Sequence, residues 1–173
     1  TAFDGMQEAL GPERIATFRT TARAAHESVA TMLDQRATSG HVRRCHGDLY
    51  LDNIVMLDGR PVPFDALEFD ETLGTCDVLY DLAFLLMDLD LRGHRRLASF
   101  VLNRDLDCVP TMENAGPPGD LAGLALMPLF LSMRAAVRAH VGASQAAALT
   151  GRTEAHRPKR TTKIETPAMV NLS

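Results

Sequence analysis

Residues 45–65 read CHGDLYLDNIVMLDGRPVPFD, and this stretch decides the fold. Its second half holds two short apolar runs, Ile54–Leu57 and Pro61–Phe64, on either side of Asp58-Gly59. An Asp-Gly pair between apolar runs is a strong signal for a tight β-hairpin, and the prolines of the second run indicate an edge or irregular strand. The stretch therefore predicts a polar loop followed by a small hairpin.

Helical patterns lie on both sides of this hairpin. Apolar residues recur at helical spacing from Glu8 to about Arg36, and Pro128 is expected to kink a long C-terminal helix. The fold class predicted is α+β, dominated by helices, with residues 1–150 as one domain and residues 151–173 as a disordered basic tail. The helices predicted after the hairpin are Cys76–Leu91, Arg95–Leu106 and Leu121 to about Ala148.

The composition is typical of a soluble globular domain. The chain has 173 residues, of which 46% are hydrophobic, and this length suffices for one domain with its own core. The formal charge of -4 and the pI of about 5.8 argue against nucleic acid as a partner. The sequence contains no uncharged apolar run of about 18 residues, so no membrane span is predicted. Cys45, Cys76 and Cys108 are far apart, so reduced thiols in a cytoplasmic protein are expected.

The polar loop before the hairpin carries residues suited to phosphoryl transfer. His46, Asp48 and Asn53 follow the spacing H-x-D-x-x-x-x-N, and Asp65 comes at the end of the hairpin. Phosphoryl transfer from ATP requires a carboxylate that orients the acceptor hydroxyl and takes its proton, together with oxygen ligands that hold Mg²⁺ against the phosphates. Because a tight hairpin returns the chain beside the loop, Asn53 and Asp65 are expected to converge on one cation.

Residues 46–70, HGDLYLDNIVMLDGRPVPFDALEFD, resemble the aminoglycoside phosphotransferase and choline kinase-like family, especially the phosphotransferase-like domain of bacterial proteins that join it to a P-loop ATP-binding domain. Residues 77–84 (DVLYDLAF) and 129–136 (LFLSMRAA) are similar to that family too. The resemblance implies the C-lobe of a kinase-like phosphotransferase that uses ATP and Mg²⁺ to phosphorylate a hydroxyl of a small molecule. It implies Asp48 as catalytic base, His46 as a loop-ordering residue, Asn53 and Asp65 as metal and nucleotide ligands, and Asp81 as a helical carboxylate that supports the catalytic-loop backbone.

The chain departs from the family pattern in three respects. Tyr50 stands where His is usual, and no Gly-rich phosphate loop, strand Lys or P-loop precedes the catalytic segment. The sequence after Ala148 does not read like the family's continuation. The expected structure is therefore a C-lobe without its N-lobe, and the expected partner is a missing N-lobe or P-loop domain. Two alternatives stay open: a catalytically inactive remnant or partner-binding module, and a metal-dependent phosphoesterase. The motifs do not specify the acceptor.

The spacing of charged residues on two of the predicted helices indicates which of them share a face. Asp77, Asp81 and Asp88 share one helical face; Asp81 is expected to have a structural role and Asp88 to face water. Arg134 and Arg138 lie one helical turn apart and could reach a phosphate or pair with the acidic face, with surface ion pairs as the default expectation.

Overall fold

The computed structural model describes residues 10–67, 71–107 and 121–155. In these ranges the architecture is helix-rich α+β with two small antiparallel sheets, which confirms the predicted fold class at this level. The elements in chain order are α1 (Pro12–Thr38), β1 (Val42–Arg44), a 3₁₀ turn (Leu51–Asn53), β2 (Ile54–Leu57), β3 (Arg60–Pro63), α2 (Glu71–Gly74), β4 (Thr75–Asp77), α3 (Val78–Leu91), α4 (Arg95–Leu106), a second 3₁₀ segment (Ala122–Leu126) and α5 (Met127–Ala155).

The predicted hairpin is confirmed. Strands β2 and β3 pair antiparallel, with Val55 opposite Val62 and Leu57 opposite Arg60. Asp58 and Gly59 form the turn with φ values of 51° and 75°, and two consecutive positive φ values are what a type I′ hairpin turn requires. The local sequence was sufficient for this prediction because both turn residues tolerate the left-handed conformation.

A second sheet was not predicted. Strand β1 pairs antiparallel with β4, which lies 31 residues later in the chain, so that Arg43 faces Cys76. The amide of Cys45 extends this ladder by donating to the carbonyl of Gly74 at 2.8 Å. Three-residue strands leave no periodic signal in a sequence, and only the tertiary contact reveals them. This sheet holds the polar loop beside the start of α3.

The core lies where α3 packs against α4 and α5. Leu79 and Ala83 of α3 are fully buried and meet Leu126 and Phe130 from the C-terminal segment. Apolar residues of α1, among them Val29 and Leu33, pack against this cluster. Helix α3 is therefore the central element, and its buried position fixes what its acidic residues can contact.

Pro128 has a different effect from the predicted kink. It stands in the first turn of α5, directly after the 3₁₀ segment, where a missing backbone N–H breaks no helical hydrogen bond. Helix α5 continues to Ala155, and residues 156–173 of the predicted tail lie outside the described residues.

Within the described ranges one helical stretch, Ala122–Gln145, is long and apolar enough to cross a membrane by length and composition. A core helix of a soluble domain passes the same test. This one supplies Leu126 and Phe130 to the core.

Candidate functional site

The backbone of the loop after β1 is bound by one buried carboxylate. Asp81 of α3 accepts hydrogen bonds from the backbone amides of His46 and Gly47, both at 3.0 Å. Only 6% of Asp81 is exposed. Hydrogen bonds to an ionised acceptor are stronger than neutral ones, so the first turn of this loop is fixed relative to α3. The structure thus places Asp81 against the backbone of the polar loop that carries His46 and Asp48.

Arg134 of α5 also binds the backbone of this loop. Its guanidinium donates to the carbonyl of Gly47 (3.1 Å), to the carbonyl of Tyr80 (3.0 Å) and to Oδ1 of Asp81 (3.4 Å). It also lies over the ring of Tyr80 at 3.9 Å and that of Phe84 at 4.8 Å. The expectation of a surface ion pair was wrong for Arg134, because this residue is 6% exposed and joins two helices to the loop.

Asp48 and Asn53 are brought together. The side-chain amide of Asn53 donates to the backbone carbonyl of Asp48 at 2.9 Å and to its carboxylate Oδ2 at 3.1 Å. Asn53 is buried and ends the 3₁₀ turn Leu51–Asn53, while Asp48 is half-buried three residues before that turn begins. With its NH₂ group on Asp48, the carbonyl oxygen of Asn53 is the atom left to act as a ligand.

The 3₁₀ turn is anchored by a second buried carboxylate. Oδ2 of Asp88 accepts a hydrogen bond from the Leu51 amide at 3.0 Å and forms an ion pair with Nε of Arg92 at 3.1 Å. Arg92 also reaches Asp52 at 2.7 Å. The expectation that Asp88 faces water was wrong: it is 1% exposed. The signal available in the sequence was its place on the same helical face as Asp81.

One oxygen of Asp88, Oδ1, is buried without a hydrogen-bond partner among the described residues. Burying half of a carboxylate unpaired is costly. The bonds through Oδ2 to Leu51 and Arg92 must offset this cost, so Asp88 is strongly coupled to the position of the 3₁₀ turn.

The hairpin folds back onto the loop at Phe64. The Phe64 amide donates to the carbonyl of Asn53 (3.0 Å), its carbonyl lies 2.9 Å from Nε2 of His46, and the Leu67 amide donates to the carbonyl of His46 (3.0 Å). Asp65, the next residue, is thereby placed beside the loop that carries Asp48 and Asn53. These three side chains therefore belong to neighbouring backbone segments.

His46 has a structural place in this arrangement. A carbonyl only accepts hydrogen bonds, so Nε2 carries the proton in the contact with Phe64. Nδ1 is buried with no partner among the described residues, and a proton on it would be unpaired. The geometry therefore places a proton on Nε2. The ring ties the loop to the hairpin, which agrees with a loop-ordering residue.

Asp65 is exposed and has a φ of 60°. A left-handed conformation costs a non-glycine residue about 1–2 kcal/mol, least for Asp and Asn. Among the described residues its carboxylate makes no hydrogen bond or ion pair. A strained, exposed carboxylate at the end of the hairpin is available for a ligand, and strain of this kind concentrates at functional sites.

The donor set fits a hard cation. Asp48, Asn53 and Asp65 offer carboxylate and amide oxygens, the ligands that Mg²⁺ prefers, and Mg²⁺ sites typically use one or two protein carboxylates together with phosphate oxygens. In the described parts of the chain no group of three or more His, Cys, Asp or Glu side chains is placed to hold a metal ion. Asp48, Asn53 and Asp65 are thus oxygen donors on neighbouring backbone segments, of the kind that Mg²⁺ prefers.

Cys45 adjoins His46 and contacts Cys76 across the β1–β4 sheet, where its Sγ lies 3.5 Å from the Cys76 carbonyl. Both thiols are free and half-buried. A hydrogen bond from the Cys76 thiol lowers the pKa of Cys45, while the same contact raises the pKa of Cys76. Cys108 lies outside the described residues.

The chain is similar to uncharacterized proteins of Mycobacterium bovis (strain ATCC BAA-935 / AF2122/97) and of two Mycobacterium tuberculosis strains, CDC 1551 / Oshkosh and ATCC 25618 / H37Rv. Each is 35% identical over 106 residues, which are 61% of this chain and 20% of the relative. The chain thus spans about a fifth of the length of the curated relatives it matches. No family model matches the chain, and no solved structure matches it.

Proposed function

We propose that this chain is the catalytic and metal-binding lobe of an ATP-dependent phosphotransferase of the aminoglycoside phosphotransferase and choline kinase-like type. The reaction is transfer of the γ-phosphoryl group of ATP to a hydroxyl of a small molecule. The observation that supports it most is the pairing of Asp48 with Asn53 in a loop whose backbone amides are held by buried Asp81. Phosphoryl transfer depends on positioning and charge stabilisation, and a rigidly held loop suits that requirement.

Each site residue has one role in this proposal. Asp48 orients the acceptor hydroxyl and takes its proton. Asn53 and Asp65 hold Mg²⁺ through an amide and a carboxylate oxygen. Bound Mg²⁺ neutralises charge that develops on the phosphate oxygens. The hydrogen bond from Asn53 keeps the Asp48 carboxylate in one orientation before substrate arrives, and the buried Asp81–Arg134 pair keeps the loop from shifting as charge changes.

A partner lobe fits the apolar surface beside the site. The hairpin exposes Met56 (62%), Leu57 (53%) and Phe64 (48%), although large apolar side chains are usually buried. The curated relatives are about five times as long as the matched region, so an N-lobe or a P-loop ATP-binding domain in the whole protein is part of the proposal. Activity of the 173-residue chain by itself is not required by it.

The exposed hairpin equally favours a second candidate, a partner-binding module that has lost catalysis. Both candidates use the same surface, but only the phosphotransferase uses the carboxylates beside it. The phosphoesterase hypothesis has weaker support, since dinuclear sites need several side-chain ligands around the metals and the described residues contain no such group.

Manganese binding tests the proposal directly. Mn²⁺ replaces Mg²⁺ at many oxygen sites and broadens NMR signals of nuclei near it, so Mn²⁺ with ATP is expected to broaden the amide signals of Asn53 and Asp65 first. Substituting Asp65→Asn removes one anionic ligand and is expected to weaken this binding at least tenfold. Asp58→Asn makes the same charge change at the far end of the hairpin and serves as the matched control.

Two results would count against the proposal. Broadening that is spread over all surface carboxylates would show that the loop has no specific cation site. Equal affinity of the Asp65→Asn and Asp58→Asn proteins for Mn²⁺ with ATP would show that Asp65 is no ligand. A specific site in the wild type with no phosphate transfer to any hydroxyl, even in the complete protein, would favour the partner-binding module.

A further inference from the structure

We infer that Arg138 and Tyr50 form a recognition site for an oxyanion on the acceptor, so that the acceptor is a hydroxyl compound with a carboxylate or phosphate group on an apolar body. This inference deepens the proposed function and rests on it for the meaning of the ligand as an acceptor. The contacts, charges and space that form the site do not depend on ATP.

Tyr50 connects the site to the catalytic loop. Its amide donates to the carbonyl of Asp48 at 3.1 Å, so the two residues share one tight turn. Its ring stacks on Phe84 of α3 with centroids 5.3 Å apart and an angle of 25°. The guanidinium of Arg138 lies over the same ring, 4.6 Å from its centroid. The guanidinium of Arg138 is therefore held against a ring that belongs to the same loop as the proposed base.

The charge of Arg138 is not compensated by the carboxylates around it. Asp90 on the same cleft is bonded to Arg95 at 2.8 Å, and that pairing lowers the pKa of Asp90. Asp88 and Asp52 are both paired with Arg92. In the described part of the chain Arg138 makes the contact with Tyr50 and no ion pair. The local positive charge is therefore available to a ligand.

A cleft between α3 and α5 provides the space. Its volume is about 550 Å³, within the usual range for small-molecule sites. Arg138 is on its wall, and most of the remaining lining is apolar, with Met87, Leu91, Ala139 and Val141 among the lining residues. An apolar cleft with one unneutralised cation selects a ligand that has an apolar body and an anionic end.

The stacked guanidinium suits oxyanions in particular. Stacking on an aromatic ring occupies one face and leaves the planar edge of N–H donors for a carboxylate or phosphate, which it can bind through two parallel hydrogen bonds. Holding the guanidinium in place before binding also reduces the entropy that is lost when the ligand arrives. Tyr50 thus acts as a positioning residue for Arg138.

Binding of matched ligands to the 173-residue chain, without nucleotide, tests the site. The probes are 3-phenyllactate, which has an apolar ring, a hydroxyl and a carboxylate; 3-phenyl-1,2-propanediol, its neutral match; and phenyl phosphate. We expect each anion to bind at least tenfold more tightly than the diol in calorimetric titrations. The anion that binds more tightly identifies the preferred group, and equal affinity means that the site accepts both.

Substitution of Arg138 separates a specific site from general charge attraction. Arg138→Gln is expected to weaken anion binding about 10- to 100-fold, the loss of a charge-assisted hydrogen-bond pair, and to leave diol binding unchanged. Arg138→Lys, which keeps the charge but not the paired donors, should fall between them. Arg96→Gln removes the same charge from an exposed residue that does not line the cleft, and should bind anions like the wild type.

Two outcomes overturn the inference. The first is equal affinity of the wild type for the diol and for both anions. The second is that Arg138→Gln and Arg138→Lys, both folded by circular dichroism, bind the anions as tightly as the wild type does. Failure of the proposed function is seen separately, in the Mn²⁺ experiment at Asn53 and Asp65. Anion binding without a cation site would keep the oxyanion site and reject the phosphotransferase.

Discussion

Removing the Asp81 carboxylate should destabilise the whole domain through the catalytic loop. In Asp81→Ala the amides of His46 and Gly47 lose their acceptor, and the buried guanidinium of Arg134 loses its anion. Breaking a buried ion pair from one side typically costs about 3–5 kcal/mol, because the remaining charge is left uncompensated. Arg134 keeps its bonds to two carbonyls, which places the expected loss toward the lower end of that range.

That loss is large relative to the stability of a domain. Total free energies of unfolding are about 5–15 kcal/mol, and for a domain of this length each kcal/mol corresponds to roughly 2–4 °C in Tm. A loss of about 3–4 kcal/mol in Asp81→Ala should therefore lower Tm by roughly 6–16 °C. Asp81→Asn keeps one acceptor oxygen but also leaves Arg134 without its anion, so its loss should lie in the same range as that of Asp81→Ala.

Urea unfolding followed by circular dichroism gives these differences from the midpoint and slope. Asp90→Ala is the matched control on the same helix, since Asp90 is exposed and its pair with Arg95 is a surface ion pair worth at most about 1 kcal/mol. If Asp81→Ala is no less stable than Asp90→Ala, the buried carboxylate does not hold the loop and the explanation given for it is wrong.

Two further predictions concern the other buried and half-buried groups of the site. Asp88→Asn should increase the hydrogen-exchange rate of the Leu51 amide at least tenfold while leaving exchange in the α3 core near the wild-type rate, because the charged acceptor of that amide is lost; an unchanged rate at Leu51 would contradict it. Cys45 should be alkylated by iodoacetamide before Cys76 at neutral pH, since the pKa of Cys45 is lowered by the Cys76 thiol. The reaction of Cys45 should slow as the pH falls and its thiolate is protonated, and Cys76→Ala should remove its advantage. Equal alkylation rates of the two thiols by peptide mass spectrometry would refute this prediction.

The parts of the site that the sequence predicted are those with local signals. Asp58-Gly59 specified the hairpin, and the fixed spacing of Asp48 and Asn53 brought them into one turn, because each depends on residues within a few positions. Asp88 was misjudged for the opposite reason. An acidic residue on a helix usually faces water, and its partner Leu51 lies 37 residues earlier in the chain.

What the sequence alone determined is the helix-rich α+β class, the hairpin and the identity of the polar residues around it, since these follow from periodicity, turn chemistry and spacing. Only the tertiary structure decided that α3 is central, that strands β1 and β4 meet, that Asp88 and Arg134 are buried, and that Arg138 lies over Tyr50. The physical reason is that burial and charge pairing depend on which elements pack together. Neighbours distant in the chain, which no local pattern records, set the environment of each of these side chains.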